Sequence, residues 1–211
     1  MTIQRGQEWG SVGPAPAGLV TVGSDRELRR LVEAARRAGS ELPPVGLLGG
    51  DLLRALGGTG RADRFAGDVA RLPVDVVRVE AEDPAAPGEV RTAWFVAHAI
   101  ARRSWWRGEV VAAMNAQHLG AWDVAPRGHP NDGRVDLVAV DRRLPVRARL
   151  QARSRLPQGT HVPHPDISVR QSADVTIELR RPLDVALDGE PWGRATRLRF
   201  VVEPDALLVC V

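Results

Sequence analysis

Asp174-Val175-Thr176-Ile177-Glu178-Leu179-Arg180 alternates without a break, with Val175, Ile177 and Leu179 on one face and Thr176, Glu178 and Arg180 on the other. A period of two is that of an extended strand with one buried and one wet face, as in antiparallel sheets and sandwiches. The alternation returns at Leu183, Val185 and Leu187, and again at Leu198, Phe200 and Val202, before a last apolar run over residues 206–211. Residues 110–114 and 135–140 are more continuously apolar and read as inner strands. From about Val74 onward the sequence predicts β structure, with one helix over residues 91–103 as the exception.

Upstream the period changes. Leu19-Val20-Thr21-Val22 is a short β-prone run, and residues 24–38 follow it with Leu28, Leu31, Val32 and Ala35 at helical spacing and Gly39 just beyond. Glycine in that place suits the left-handed turn that ends many helices. Pro43-Pro44 breaks the chain, residues 45–48 form a second apolar run, and short helices are predicted over 51–56 and 62–69. Strands alternating with helices indicate a parallel α/β layer. The predicted fold is therefore α/β plus all-β, with a small α/β layer over residues 1–73 and an antiparallel β-sandwich over residues 74–211. The Pro/Ala-rich acidic stretch at 81–88 reads as a loop.

The chain has 211 residues, 44% hydrophobic and 26% charged, which excludes a disordered protein. A chain of this length buries about 70% of its unfolded surface and needs no staple. It has a single cysteine, Cys210, in the last apolar run, which reads as a small core residue and points to a reducing compartment or to indifference to redox state. The apolar stretch at 93–101, interrupted by His98, is far short of the about 20 residues a membrane span requires. Residues 1–13 are polar and charged where a signal peptide would be apolar, so a cytoplasmic location is expected. All 29 basic residues are arginines, interleaved with 26 acids to a net charge of +3. No nucleic-acid partner is expected from that balance.

The most distinctive stretch lies between Asn115 and Val140 and contains Gly120-Ala121-Trp122-Asp123-Val124-Ala125-Pro126 and Asn131-Asp132-Gly133-Arg134-Val135-Asp136. Downstream come Asp188-Gly189-Glu190 and Glu203-Pro204-Asp205. In this order the segments resemble the diacylglycerol kinase-like lipid kinases, bacterial relatives of diacylglycerol and sphingosine kinases. The resemblance is good from about Val110 to Val211 and weaker back to Leu19. It implies a Rossmann-like α/β domain that holds ATP, a β-sandwich that holds lipid, and Mg²⁺-dependent phosphorylation of a lipid hydroxyl of diacylglycerol type between them. By the same resemblance Asp132 belongs to the magnesium site and Glu190 is the general base, with Asp25 beside it organising phosphate and metal. Phosphoryl transfer needs such parts, a cation to neutralise phosphate charge and a carboxylate to accept the hydroxyl proton. Read without the resemblance, Asp132-Gly133 and Asp188-Gly189 are tight-turn signals at strand ends.

The nucleotide loops of such kinases are glycine-rich, Gly-Gly-Asp-Gly-Thr and Pro-x-Gly-Thr-Gly-Asn-Asp. Here Gly23-Ser24-Asp25-Arg26-Glu27 and Gly49-Gly50-Asp51 stand in those places, which makes Gly23, Ser24, Asp25, Gly49 and Gly50 the implied nucleotide-binding residues. Glycine serves there because backbone amides must approach phosphate without a Cβ in the way. Ser24 and Glu27 instead have the spacing of a capping box, so these five residues read as a helix start. Gly57-Gly58-Thr59-Gly60 follows the second helix and reads as its C-terminal cap. The first β-α-β unit of the kinases has no counterpart in the sequence. The alternative expectation is thus a catalytically inactive relative that binds a lipid, a membrane surface or a protein partner, with a homodimer as a further expectation.

Three other clusters bear chemistry. His161-Val162-Pro163-His164 brings two imidazoles with Asp166 nearby, short of the four ligands of a structural zinc site. Arg102-Arg103-Ser104-Trp105-Trp106-Arg107 reads either as a peripheral membrane contact or as a surface loop whose tryptophans cover core. Six arginines between Arg142 and Arg155 read as a solvated amphipathic face.

Overall fold

The computed structural model describes residues 9–86 and 88–211. Most of the polar stretch at 1–13, the first eight residues of the predicted 1–73 unit, and Pro87 of the 81–88 loop lie outside the described residues. Strands β1 (Ser11–Pro14) and β2 (Val20–Val22) lead into helix α1 (Asp25–Ala38), then β3 (Val45–Leu47) and the one-turn helix α2 (Asp51–Ala55). A 3-10 turn (Ala62–Ala66) precedes the long strand β4 (Asp68–Glu82). β5 (Val90–Phe95), β6 (His98–Arg102), β7 (Val110–Met114) and the small pair β8 (His118–Leu119) and β9 (Trp122–Asp123) follow. β10 (Val135–Val140), helix α3 (Val146–Arg155), β11 (Ile167–Ser172), β12 (Asp174–Leu187) and β13 (Glu190–Cys210) complete the chain.

The architecture is mostly antiparallel sheet with few helices. The large sheet runs β1-β4-β13-β12-β6-β7-β10-β11, with β5 on β4 and β3 on β13. Among the described residues, parallel pairing occurs between β2 and β3 and between β3 and the end of β13. The alternation at 174–180 becomes the first half of β12, whose Val175, Ile177 and Leu179 pack on the main cluster with Phe95, Leu198 and Phe200. A second cluster joins Leu28 and Val32 of α1 to Val45, Leu47, Val74, Val76, Leu207 and Val209. β4 and β13 each run through both clusters, and residues 73 and 74 are consecutive positions inside β4. The register slips between Glu203 and Leu207, where Asp205 takes a positive φ of 53° and gives its N–H to the Asp75 carboxylate at 3.0 Å. That bulge bends one strand from one core into the next.

Helix α1 ends as its sequence predicts. Ser24 caps the Glu27 N–H at 3.3 Å, and Gly39 closes the other end in the left-handed region. The helix predicted over 91–103 is instead a bent β ribbon, β5 and β6. β6 is buried on both faces between β7 and β12, and a short continuous apolar run carries no period to separate strand from helix. The helix predicted over 62–69 shortens to the 3-10 turn, since β4 takes the chain from Asp68 onward. Cys210 is a free, buried thiol in β13. Among the described residues no helix is long and apolar enough to cross a membrane.

Candidate functional site

The first βα turn and the start of α2 meet under β6. The Asp25 carboxylate lies at the N-terminus of α2 and accepts the amides of Asp51 at 2.5 Å and Leu52 at 3.2 Å. Gly50 makes this approach feasible. Its φ is +107°, and a Cβ there would lie 2.6 Å from Asp25 Cγ and 2.8 Å from Oδ2. Gly49 is required by a second close approach, because its Cβ would sit 2.5 Å from the Gly23 carbonyl. Four of the residues implied as a phosphate loop therefore touch one another, and Gly23, Asp25, Gly49 and Gly50 form one tight corner.

Three further groups close around it. Asp51 Oδ2 meets His98 Nε2 at 3.2 Å, and Oδ1 accepts the Gly120 N–H at 2.9 Å. Asp188, in the left-handed region at φ 47°, turns its buried carboxylate onto the amides of Val96, Ala97 and His98 at 2.9–3.0 Å. Asp25, Asp51, His98 and Asp188 thus border one cavity of about 570 Å³, with Ser24, Glu27 and Arg30 at its rim.

Burial dominates the electrostatics of this corner. It raises the Asp25 pKa to about 6, and the nearby Asp188 charge adds to the rise against the two amides. Asp188 is likewise pushed up, by burial above all. Burial would raise Asp51 too, but the His98 and Gly120 hydrogen bonds hold it below the usual carboxylate range. For His98 burial favours the neutral ring, yet the Asp51 hydrogen bond and the charges of Asp188 and Asp25 carry its pKa upward. A raised histidine beside a lowered carboxylate is the signature of an ion pair.

Glu190 is next to this cavity and is engaged. Its two oxygens pair with Arg29 and Arg30 of α1, and the Arg30 and then the Arg29 guanidinium lower its pKa. Arg29 also holds Glu33 at 2.7 Å. Asp132 stands apart from the corner. Its Oδ1 accepts the Arg134 N–H at 2.9 Å, an Asx turn. Burial and the charges of Asp136 and Asp75 raise its pKa to about 6. Beside it Asp75, fully buried and also raised to about 6, accepts the amides of Gly133 and Asp205 and so ties β4 to the bulge of β13. The structure brings Asp25, Gly23, Gly49, Gly50 and the neighbourhood of Glu190 together, and places Asp132 in a separate structural tie.

These donors do not fit a magnesium–triphosphate group. The six carboxylate oxygens of Asp25, Asp51 and Asp188 all meet protein donors. Several amides at the two turns that would approach phosphate are already engaged by side chains, Ser24 taking that of Glu27. Glu27 Oε2 takes the Gly23 amide at 2.7 Å, and Asp25 takes those of α2. Among the described residues no three His, Cys, Asp or Glu side chains are arranged to hold a metal ion. That includes the sequence at 161–164, where His161 is buried and His164 Nδ1 accepts the Asp166 amide at 3.1 Å.

Asp51, His98 and Asp188 were not legible as site residues. In the sequence His98 stands alone in an apolar run, while Asp51 and Asp188 stand inside the motif segments with no role of their own attached. The available signal was polarity inside a buried run, since a histidine there must find a partner. A second cavity, of about 370 Å³, opens between β7, β10 and α3. Trp105, Trp122, Ala112, Val138, Leu144 and Ala152 line it with His161. The His161 ring is buried, its nitrogens have no well-formed hydrogen-bond partner, and burial lowers its pKa. The arginine strip at 142–155 departs from the solvated face expected of it at one residue. Arg149 is buried and donates to the carbonyls of Leu144, Trp105, Gly108 and Asp141.

The long antiparallel sheet fed by one βα corner is the architecture of a known β-sandwich-like domain family. Residues 69–211 match the YegS C-terminal NAD kinase beta sandwich-like domain, and the chain belongs to that family, within the diacylglycerol kinase-like group its motifs resemble. Three solved structures from Bacillus anthracis str. Sterne share the fold. One, described as a diacylglycerol kinase, is 16% identical with a TM-score of 0.57, covering 90% of this chain and 74% of its own. Two described as a candidate diacylglycerol kinase are 15% and 14% identical, each with a TM-score of 0.58 and 90% of this chain covered, and 76% and 77% of their own. No curated protein matches the chain.

Proposed function

We propose that this chain is a member of the diacylglycerol kinase-like group that no longer transfers phosphate and instead binds an amphiphilic lipid. The observation that carries the loss of chemistry is the clamp on Glu190. A general base needs a pKa near the working pH and freedom to reach the substrate proton, whereas this carboxylate is held by two guanidiniums that lower its pKa. The β2-α1-β3 unit is then a remnant of a Rossmann-like nucleotide layer, and residues 1–73 and 74–211 are the remnant and the lipid-holding part. The apolar cavity beside α3 supports lipid as the ligand. Its walls are tryptophan and aliphatic side chains, and the His161 ring stands among them as a polar group for one hydroxyl or carboxyl, the pattern of a small-molecule pocket.

The second reading, ATP- and Mg²⁺-dependent phosphorylation of a lipid hydroxyl with Glu190 as base, is favoured by one observation. Asp25, Asp51 and Asp188 border a single cavity next to Glu190. Thermal melts with millimolar ATP and Mg²⁺ separate the two. A ligand at 100 times its Kd stabilises by about 2.7 kcal/mol, so the proposed function expects no shift with nucleotide. It also expects a single-chain fluorescent fatty acid to bind, and Ala152→Trp, which fills the cavity, to abolish that binding. Nucleotide binding with turnover of a lipid alcohol would overturn it.

A further inference from the structure

Around a cavity of about 1080 Å³ stand the pairs Arg142–Arg143 and Arg180–Arg181 with Arg103, Arg107 and Arg194, against one acid, Glu109. They come from four separate places, the β6–β7 loop, the turn into α3, the middle of β12 and the start of β13. Among the described residues only Arg194 has an acidic partner, Asp184 at 3.5 Å. Elsewhere this chain pairs its arginines readily, as at Arg29, Arg36, Arg197 and Arg199. Seven guanidiniums around one concavity raise a positive potential that the walls focus. Guanidinium forks match phosphate oxygens in pairs.

The basin shares two walls with the tryptophan-lined cavity. In the β6–β7 loop Arg103, Ser104, Arg107 and Gly108 face the basin, while Trp105 and Trp106 face the apolar cavity. In the next wall Arg142 and Arg143 face the basin, while Val140 and Leu144 face the cavity. The same end of the molecule exposes Trp106 and, one helical turn apart on α3, Val146 and Leu150. Buried Arg149 fastens the two walls together through the Trp105, Gly108 and Asp141 carbonyls.

We infer that this arginine basin docks the protein onto a bilayer by binding the phosphate groups of anionic phospholipids, with Trp106, Val146 and Leu150 entering the interface beside it. The inference rests on the lipid-binding reading for what the neighbouring cavity takes up, and adds the surface from which it is taken. Basic side chains around exposed apolar ones are the composition of interfacial anchors. Single-stranded nucleic acid would need open aromatic faces for stacking. Here Arg102 lies over one face of Trp105, and Arg153 over one face each of Trp106 and Trp122, so those faces are taken by guanidiniums rather than open to bases.

The test is cosedimentation of the full chain with vesicles of phosphatidylcholine alone and with about one-third phosphatidylglycerol, at low and high salt. Binding only to the anionic vesicles, weakened by salt, is expected. Arg142→Ala with Arg143→Ala should weaken it by about 30-fold, from roughly fivefold per arginine near the surface. Arg61→Ala with Arg64→Ala removes the same charge from the exposed 3-10 turn and should change binding less than about twofold. The substituted arginines are exposed, and Arg180→Ala with Arg181→Ala serves as a second basin variant should the first melt early. Absent binding to anionic vesicles, or equal losses from both control and basin pairs, overturns the proposal. So does release by millimolar inorganic phosphate or by a short single-stranded RNA, which would make a soluble anion the occupant. Ala152→Trp keeps the two readings apart. Charge-dependent vesicle binding without fatty-acid uptake by the native chain would sink the lipid-cavity reading and leave the basin standing. Uptake without vesicle binding would do the reverse.

Discussion

Gly50→Ala tests whether the corner at Asp25 is held as described. The residue sits at φ +107° and ψ 170°, a region open to glycine and nearly closed to alanine, at about 1–3 kcal/mol. The new Cβ would also lie 2.6 Å from Asp25 Cγ, inside contact distance, so the carboxylate must swing away from the Asp51 and Leu52 amides. Losing a helix N-terminal cap adds about 0.5–2 kcal/mol. The expected destabilisation is therefore about 1.5–5 kcal/mol, a fall in Tm of roughly 3–20 °C for a chain of this size. Calorimetry above pH 7 reads it, with Asp25→Ala and the double variant completing a cycle. Asp25→Ala itself should cost less than an ordinary cap, because burial already disfavours the charge. In its background Gly50→Ala meets no carboxylate, so only the backbone strain remains and the coupling should be about 1–2 kcal/mol. A Gly50→Ala variant within about 0.5 kcal/mol of the native chain, or strict additivity, would refute the argument.

The remaining expectations concern charge and buried donors. Asp25, Asp75 and Asp132 have folded pKa values of about 6 against an ordinary value of about 4, so the folded chain binds more protons between these values. Stability should then rise as pH falls from about 6.5 to 4, by up to about 3 kcal/mol per group and less where the charges of Asp75 and Asp132 are coupled; Asp75→Asn should flatten part of that slope in urea titrations. Asp188→Ala strands the buried amides of Val96, Ala97 and His98 and should cost about 3–5 kcal/mol, with Asp188→Asn retaining part of it. Arg149→Ala removes a donor to four carbonyls and should cost about 3 kcal/mol or more in denaturant midpoint terms, and Arg149→Lys should not restore it, lacking the planar fork.

Much of the fold is written locally. The alternation in β12, the spacing of Leu28, Val32 and Ala35, the Ser24 cap and the Gly39 stop each follow from short-range geometry, and each appears where the sequence places it. The stretch at 91–103 misleads because residues buried on both sides leave no periodic mark. Asp25 and the glycines at 49 and 50 were legible as one site only through their motif order.

The sequence by itself determined which segments alternate, where the first helix begins and ends, and that two acidic turns and a degenerate glycine loop recur in the order of a lipid-kinase relative. The tertiary structure alone decided what those acids do. Asp188 is 92 residues from the Val96 amide it accepts, and Glu190 is 161 residues from Arg29. Likewise seven arginines scattered from Arg103 to Arg194 become a basin only when four elements meet. Charge, burial and hydrogen bonding act over a few ångströms of space, and the chain fixes those distances only after β4 and β13 have brought its ends together.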